Sequence, residues 1–255
     1  MNVIRFDPSI TDDYPKDAPR LANPDDVFKK FQGNWYNVST DYWSKQNPNV
    51  NGMLGGYEWL SGIDVLNTED IIKKYQNIPQ KTKLPKMGHQ IIADCGAGIG
   101  RVSQHVFSSY FDSIDLIDPI ASFLEVATQN LKSSNIPIRT IVSGIQDWTP
   151  DCDYDAFWIQ WAIMYLTDED AISFLKRCKA HLKPNGYIFV KDNIGTKNLK
   201  EKKENATFYE EDRGICRTYV HYIELFKNAG LKLIESQKQT GWDQGLLPLY
   251  TFVLK

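Results

Sequence analysis

Three glycines at alternate positions mark the part of the chain whose chemistry is easiest to predict. Residues 91–101 read as a buried strand that runs into a turn and then a helix, with Gly96, Gly98 and Gly100 in a G-x-G-x-G pattern. A dinucleotide-binding turn has the spacing G-x-G-x-x-G, so that the pyrophosphate lies on the helix N-terminus. The third glycine falls one residue early for that class, which disfavours a nicotinamide cofactor.

Charged residues around the glycines point to a different nucleoside ligand. Asp94 gives the segment the form D-x-G-x-G-x-G, and this form resembles the first motif of S-adenosylmethionine-dependent methyltransferases. Asp118 ends the next predicted strand, where a carboxylate can accept hydrogen bonds from two ribose hydroxyls. Arg101 opens the following helix and can bind the carboxylate of the cofactor's amino-acid part in a bidentate manner. The alternative reading is a tight strand-to-helix turn without a ligand.

Alternating elements after residue 88 explain how these residues are positioned. Short β-rich runs alternate with helical stretches, which predicts a parallel sheet with crossover helices. The predicted strands are 90–94, 113–118, 138–142, 156–160 and 187–191, followed by 231–237 and 249–254 as an antiparallel edge. The predicted crossover helices begin near Arg101, Ala121 and Asp168, with residues 184–186 (Pro-Asn-Gly) closing the last one. A further helix is expected from about Thr218.

The N-terminal third has a different pattern. Residues 1–24 contain four prolines and no hydrophobic period, which predicts a poorly ordered arm. From Asp25 apolar residues recur at three- and four-residue steps, as in an amphipathic helix that Gly33 and Asn34 can interrupt. Residues 51–57 read as a glycine loop, and a second helix is predicted over residues 68–75 with Thr68 as its N-cap.

Composition limits the classes of partner. The 255 residues carry 29 Lys+Arg and 32 Asp+Glu, so no net charge steers the molecule toward nucleic acid or an anionic membrane. No apolar run approaches the roughly 20 residues that span a bilayer, and the N-terminus lacks the pattern of a secretory signal. The four cysteines are far apart and no histidine pair has metal spacing, so we expect no disulfide framework and no metal. These features predict an intracellular protein.

Further blocks resemble one family, the protein α-N-terminal methyltransferases that act on Xaa-Pro-Lys amino termini. The blocks specific to that family are 51–57 (NGMLGGY), 158–161 (WIQW) and 166–168 (LTD). Other matches lie at 42–43, 94–101, 146–150, 174–178, 184–186 and 191–193, so that the resemblance covers the chain from about residue 36 to its end. It implies an α/β fold with a Rossmann-like seven-stranded class I methyltransferase sheet and an N-terminal helical cap.

The resemblance also implies the organisation and the reaction. The parts would be a flexible arm (1–24), a helical cap (25–87) and an S-adenosylmethionine-dependent methyltransferase domain (88–255). The cofactor would be S-adenosyl-L-methionine, leaving S-adenosyl-L-homocysteine, and the acceptor would be the α-amino group of an Xaa-Pro-Lys protein such as a ribosomal or chromatin protein. A location in the cytoplasm, with the nucleus as a second compartment, fits such substrates.

Particular side chains take roles by the same resemblance. Cofactor contacts are implied for Gly96, Gly98, Arg101, Asp118, Pro119, Ile120, Ile145, Gln146 and Gln160. Contacts to the peptide are implied for Leu54, Gly55, Leu60, Trp161 and Asn193. Asp212 would accept the proton of the amine, and Tyr165 stands where the family has a second candidate base, a histidine. Asp118, Gln146 and Gln160 each follow or end a predicted strand, at the edge where open α/β sheets bind ligands.

Two departures from the family pattern keep alternatives open. Tyr165 is a poor base, because a tyrosine has a pKa of about 10, although its hydroxyl can donate and accept hydrogen bonds. Arg213 and Gly214 stand where the family has two serines. A methyltransferase of this fold that acts on a small amine therefore remains an alternative, as does a non-catalytic module that binds the cofactor or a peptide.

Overall fold

The structure is a computed structural model that describes residues 20–21, 24–31, 33–79, 82–195, 197–198, 203–204, 206–243 and 245–255. Its strands are β1 (Arg20–Leu21), β2 (Ile91–Cys95), β3 (Ser113–Asp118), β4 (Ile138–Val142), β5 (Tyr154–Gln160), β6 (Leu182–Asn193), β7 (Lys197–Asn198), β8 (Lys203–Glu204), β9 (Ala206–Tyr209), β10 (Gly214–Cys216), β11 (Leu233–Lys238) and β12 (Leu249–Leu254). Its α-helices are α1 (Pro24–Lys30), α2 (Trp35–Ser44), α3 (Val50–Met53), α4 (Ser61–Gln76), α5 (Ser108–Tyr110), α6 (Ala121–Asn130), α7 (Asp168–Ala180) and α8 (Tyr219–Asn228). Short 3₁₀ turns cover Glu58–Leu60 and Ile163–Tyr165, and a π-helical turn covers Ser103–Phe107.

Seven strands form the central sheet, in the order β11-β12-β6-β5-β2-β3-β4. The strands from β6 to β4 are parallel, and β12 pairs antiparallel with both β6 and β11. The chain runs outward from β2 to β3 and β4 on one side and to β5 and β6 on the other. The strand order therefore reverses at β2 and β5, and ligands of open α/β sheets bind in the crevice at such a point.

Side chains of β5 show how the core holds this sheet. All residues of β5 are buried, as expected of a central parallel strand covered on both faces. Phe157 and Ile159 pack in the cluster on one face, whereas Ala156 and Trp158 pack in the cluster on the other, because successive side chains of a strand alternate.

The helical cap packs on the sheet through α4. Ile71, Ile72 and Tyr75 are buried in one of the two sheet clusters, and the ring of Tyr75 lies 4.7 Å from that of Tyr187. A smaller three-stranded sheet, β1-β9-β10, packs against α1 and α2 through Trp35 and neighbouring apolar residues. The cap is thus joined to the sheet by α4 and to the β9–β10 hairpin by its first helices.

The α/β prediction is confirmed, with strands 113–118, 138–142 and 249–254 at the predicted bounds and the antiparallel edge in place. Gly33, with a φ of 96°, separates α1 from α2. Of the predicted arm, Arg20 and Leu21 form β1 against β9, and most of its other residues lie outside the described ones. No helix in the described part of the chain is long and apolar enough to cross a bilayer.

Three local predictions were wrong. Thr68 is not an N-cap: α4 begins at Ser61, and the Thr68 hydroxyl donates a hydrogen bond to the carbonyl of Asp64 one turn earlier, at 2.9 Å. The first turns of α4 went unrecognised because their buried face carries Asp64 instead of an apolar residue. Residues 184–186 do not close α7, which ends at Ala180; they belong to β6. Residues 51–53 are the end of α3, for which Asn49 supplies the N-cap.

Candidate active site

A cavity of about 940 Å³ opens where the parallel strands end. Its volume is at the upper end of the range for ligand pockets, about 300–1,000 Å³, and so suits more than one small ligand. Every residue to which the sequence resemblance gives a cofactor, peptide or catalytic role lines it: Leu54, Gly55, Leu60, Gly96, Gly98, Arg101, Asp118, Pro119, Ile120, Ile145, Gln146, Gln160, Trp161, Tyr165, Asn193 and Asp212. Elements far apart in sequence therefore converge on one site.

Backbone conformation and close packing both require glycines in the turn after β2, whether or not a ligand binds there. Gly96, Gly98 and Gly100 have φ values of 81°, 54° and 70°, which L side chains rarely adopt. A Cβ on Gly96 would lie 2.5 Å from the Cβ of Ala162, and one on Gly100 would lie 2.9 Å from the Cβ of Ala127. The glycines alone would therefore be explained by a tight turn. The evidence for a ligand comes from the polar groups that face the cavity.

Asp118 is the first of these groups. Its two carboxylate oxygens accept hydrogen bonds from the backbone N–H groups of Gly98 and Ile120, both at 2.9 Å. Each oxygen of a carboxylate has a further lone pair, so two more donors such as ribose hydroxyls can be accepted. Burial raises the pKa of Asp118 to about 6 in spite of the two backbone donors.

Asp94 lies behind the same turn. It is buried and accepts a hydrogen bond from the Ser103 hydroxyl at 2.6 Å, and burial raises its pKa to about 7. On the far side of the cavity Ile145 is buried, whereas Gln146 is half-buried and its amide donates to Asp147 at 2.9 Å. These residues supply an apolar wall and an amide beside the loop that follows β4.

A carboxylate of the cap, Asp64, organises the polar floor of the site. Arg101 Nη2 lies 2.6 Å from one oxygen of Asp64, and Lys191 Nζ lies 2.6 Å from the other. The Gln160 amide donates to both oxygens at 2.9 Å and accepts from the indole N–H of Trp158 at 3.0 Å. Arg101 is buried, which excludes a surface helix position. Two cations share one carboxylate, so the cluster keeps an excess positive charge beside the cavity.

Sequence reasoning missed Asp64 and Lys191. Both side chains are fully buried. Burial on its own would raise the pKa of Asp64, but the charges of Lys191 and Arg101 outweigh it and hold the pKa below its usual value. One signal was present: Asp64 lies four and seven residues before the buried Thr68 and Ile71, on the helix face that packs on the sheet. An acid on such a face needs buried partners.

Trp161 and Asn193 form the second wall of the cavity. The Trp161 indole N–H donates to Asn193 Oδ1 at 2.8 Å, and the Asn193 amide donates to the carbonyl of Leu247 at 2.9 Å. Trp161 has a φ of 49°, an uncommon value for a residue other than glycine. Its ring centroid lies 6.3 Å from that of Trp242. The two indoles, whose planes are inclined by 37°, make an apolar surface with the Asn193 amide at its edge.

Asp212 and Tyr165 meet at the third wall. The Tyr165 hydroxyl donates to Asp212 Oδ2 at 3.3 Å, and the backbone N–H of Gly214 donates to Oδ1 at 2.8 Å. Burial raises the pKa of Asp212 above its usual value. Burial and the Asp212 charge also raise the pKa of Tyr165 well above 10. Tyr165 is therefore a hydrogen-bond donor at neutral pH, and Asp212 is the group that can accept a proton.

The turn between β9 and β10 sets this geometry. Arg213 has a φ of 61°, and its guanidinium lies 4.1 Å above the ring of Phe31, which directly follows α1. A Cβ on Gly214 would lie 3.0 Å from Asp212 Oδ1 and 3.3 Å from Tyr165 Cε1. The two departures from the family pattern are thus neighbours, and the small residue at 214 leaves room for the tyrosine ring at 165.

The titratable side chains that line the cavity are mostly acidic, and Glu210 and Glu211 are exposed. Its described lining includes Asp94, Asp118, Glu210, Glu211 and Asp212, and it includes one cationic side chain, which is already paired. Among the described residues no group of His, Cys, Asp and Glu is arranged to hold a metal ion. The site therefore attracts a cation and offers it an aromatic surface and a proton acceptor.

The chain is similar to several known methyltransferases. The profile of the family described as AdoMet dependent proline di-methyltransferase matches residues 32–255. The chain is 34% identical over 224 residues to the N-terminal Xaa-Pro-Lys N-methyltransferase 1 of Homo sapiens, covering 87% of this chain and 95% of that protein. It is 36% identical over 228 residues to the alpha N-terminal protein methyltransferase 1 of Dictyostelium discoideum, covering 89% and 81%. A solved structure of a Leishmania major SAM-dependent methyltransferase is similar with a TM-score of 0.80 and 30% identity over 91% of each chain.

Proposed function

Because the chain belongs to the family of AdoMet-dependent proline di-methyltransferases, we propose that it transfers methyl groups from S-adenosyl-L-methionine to the α-amino group of proteins that begin Xaa-Pro-Lys. The observation that carries this proposal is the position of the Asp212 carboxylate, in the same cavity as Asp118 and as the Trp161–Asn193 pair. A nucleoside site, an aromatic wall and a proton acceptor are the parts that the reaction requires.

The residues beside the glycine turn fit the cofactor. Asp118 accepts the ribose hydroxyls, Ile145 and Gln146 border the adenine, and the cluster of Arg101 with Asp64 and its partners attracts the carboxylate of the amino-acid part. When bound, the cofactor supplies an electrophilic methyl group on a sulfonium. The mainly acidic lining of the cavity suits that positive charge.

The opposite wall fits a peptide N-terminus. A proline ring and an indole face are both flat and apolar, so Trp161 suits the second residue of the substrate, and the Asn193 amide can bind its backbone. Leu54, Gly55 and Leu60 close the channel from the cap. A methylated, cationic product is tolerated because aromatic faces attract cations.

Asp212 prepares the nucleophile. A protein α-amine has a pKa of about 7.7–8.0, so a share of it is neutral at cellular pH. Asp212 accepts the proton of the remaining ammonium form and so frees the nitrogen lone pair. Tyr165 donates a hydrogen bond to Asp212 Oδ2 and thereby orients the carboxylate.

The same reasoning extends to the targets. Basic N-termini are attracted by a cavity whose lining carries Glu210, Glu211 and Asp212. Proteins of ribosomes and chromatin that begin Xaa-Pro-Lys are therefore the substrates that we propose, and the cytoplasm and nucleus are the compartments where the enzyme would meet them.

Mass spectrometry of synthetic peptides tests the proposal. The protein is incubated with cofactor and with peptides that begin Ser-Pro-Lys or Ala-Pro-Lys, beside the same peptides with an acetylated N-terminus. We expect the mass of each methyl group added to appear on the free peptides alone. Asp212→Asn should lower the rate about 10²–10⁴-fold, whereas Asp70→Asn, at an exposed position of α4, should leave it unchanged. If the cofactor binds but neither free peptide gains mass, the peptide assignment is wrong and a small amine becomes the candidate acceptor.

A further inference from the structure

Two aromatic side chains face solvent beside the mouth of the cavity. Tyr57 is 45% exposed and Trp59 is 58% exposed, and their ring centroids lie 6.5 Å apart in an edge-to-face arrangement. Tryptophan is highly buried on average in folded proteins, so an exposed Trp–Tyr pair is unusual. Aromatic side chains exposed in this way are typical of surfaces that bind a partner.

The backbone holds the two rings outward. Gly55 and Gly56 have φ values of 58° and 92°, and no atom lies within 4 Å of the position that a Cβ would take on either. The Tyr57 N–H donates to the carbonyl of Leu54 at 3.0 Å, which fixes the turn. On the other side Leu60 is buried. Tyr57 and Trp59 thus stand on a turn anchored at both ends, and their exposure does not come from a loose loop.

This pair continues the proposed peptide channel. Tyr57 lines the cavity together with Leu54 and Leu60, and Trp59 extends the aromatic surface from Tyr57 to the outside. The rest of a protein substrate is too large to enter the channel, and the exposed Tyr57 gives it a surface that continues from the cavity lining to the outside.

Charged residues near the mouth of the cavity indicate which side chains would suit the part of the substrate that lies outside the channel. Glu58 lies between the two aromatic residues and is exposed, and Glu210 and Glu211 are exposed residues of the cavity lining. Lysine and arginine side chains can pair with such carboxylates and can also lie on the faces of tyrosine and tryptophan. An acidic segment would be repelled.

We propose that Tyr57 and Trp59, with Glu58 between them, bind the part of a protein substrate that directly follows its first three residues, and that they prefer a basic segment there. The proposal rests on the proposed function, because it assumes that the N-terminus occupies the channel. It assigns to the cap a share of substrate selection beyond the Xaa-Pro-Lys motif.

Steady-state kinetics with peptides of two lengths test it. One peptide ends after the Xaa-Pro-Lys motif, and the other continues with several lysines and arginines. For Trp59→Ala we expect KM for the longer peptide to rise about tenfold, as for an aromatic anchor at an interface, while kcat and KM for the short peptide stay at wild-type values. Trp59→Phe keeps an aromatic face at this position, so its KM for the longer peptide should stay close to that of wild type. Val220→Ala, which removes an exposed apolar side chain of α8, is the matched control and should change neither KM.

The outcomes separate this inference from the proposed function. If wild type methylates both peptides with equal KM, or if Trp59→Ala raises both KM values alike, the surface does not bind the following segment. A longer peptide with an acidic continuation should bind no better than the short one, and a preference for it would overturn the charge argument. If wild type methylates no peptide with a free Xaa-Pro-Lys terminus, the proposed function itself fails, and this inference fails with it.

Discussion

Replacing Asp64 by asparagine should break the ion pairs that join helix α4 of the cap to the cofactor site. The change keeps the size of the side chain but removes the carboxylate that Arg101 and Lys191 share. Both cations stay buried, since Lys191 is fully enclosed and Arg101 is nearly so. Gln160, which donates to the same two oxygens, loses one of its acceptors.

The expected cost follows from that burial. Removing one partner of a buried ion pair destabilises a protein by about 3–5 kcal/mol, because an unpaired charge is left in the interior. For a chain of this size each kcal/mol lowers Tm by about 2–4 °C, so we expect a decrease of roughly 6–20 °C. The KM for the cofactor should rise as well, because Arg101 and Gln160 lose the group that holds them beside the cavity.

The pH dependence of this loss is its most specific signature. Burial lowers the pKa of Lys191 even with Asp64 present, and without Asp64 the pKa must fall further. Between that lowered pKa and the value of about 10.4 in the unfolded chain, the unfolded state binds more protons than the folded state. The free energy of unfolding of Asp64→Asn should therefore rise with pH toward that of wild type. In wild type, the stabilisation by Asp64 is present at neutral pH and is lost only in acid, as the pH falls through the lowered pKa of that carboxyl.

Urea denaturation of wild type, Asp64→Asn and Lys191→Met, alone and combined, measures these quantities from neutral to alkaline pH. The double variant should be more stable than the sum of the single effects predicts, because the methionine removes the cation that Asp64→Asn leaves unpaired. Asp70→Asn, an exposed position of the same helix, is the control. The reasoning is refuted if the loss of unfolding free energy in Asp64→Asn does not change with pH. It is also refuted if the losses of the two single variants add up to that of the double variant.

Three further predictions concern the site. Tyr165→Phe removes the hydroxyl that donates to Asp212 and should lower kcat about two- to tenfold, with the acidic limb of the rate profile moved to higher pH; a loss as large as that of Asp212→Asn would mean that the tyrosine itself transfers the proton. Asp118 has a pKa of about 6, and its ionised form is the one that accepts ribose hydroxyls, so the affinity for S-adenosylhomocysteine in calorimetry should fall as the pH is lowered through that value. Asp118→Asn should bind weakly and without this dependence. Gly214→Ala places a Cβ 3.0 Å from Asp212 and 3.3 Å from Tyr165. Because this displaces the proton acceptor, kcat should fall about tenfold while the cofactor affinity stays unchanged. A wild-type kcat in this variant would contradict the assigned role of this contact.

The sequence pattern predicts the sheet and the cavity lining better than it predicts the links between them. Strands such as β3 and β4 are local hydrophobic runs bounded by turns, so their bounds can be read from neighbouring residues. Residues at strand ends, such as Asp118 and Gln160, follow from the topology of the sheet, because the ends of parallel strands meet at one edge.

The remaining features depend on contacts between distant segments. Asp64 reaches Lys191 across 127 positions of the chain, and no local period reveals such a pair. The same applies to β6, which is longer than predicted because Leu182 pairs with Tyr154 and because Lys255 binds the carbonyls of Pro184 and Gly186. The start of α4 could not be predicted because Asp64, a charged residue, occupies a position on the buried face of the helix and interrupts its apolar pattern.

The hairpin that carries Asp212 has a consequence for how the enzyme can be switched off. β9 and β10 belong to the small sheet with β1 and not to the central sheet, and most of their buried residues pack on Trp35 and its neighbours in the cap. Opening of such a peripheral unit costs less free energy than global unfolding. Mild heating should therefore produce a state that still binds the cofactor but has lost its proton acceptor, and activity should decay at temperatures where the central sheet is intact.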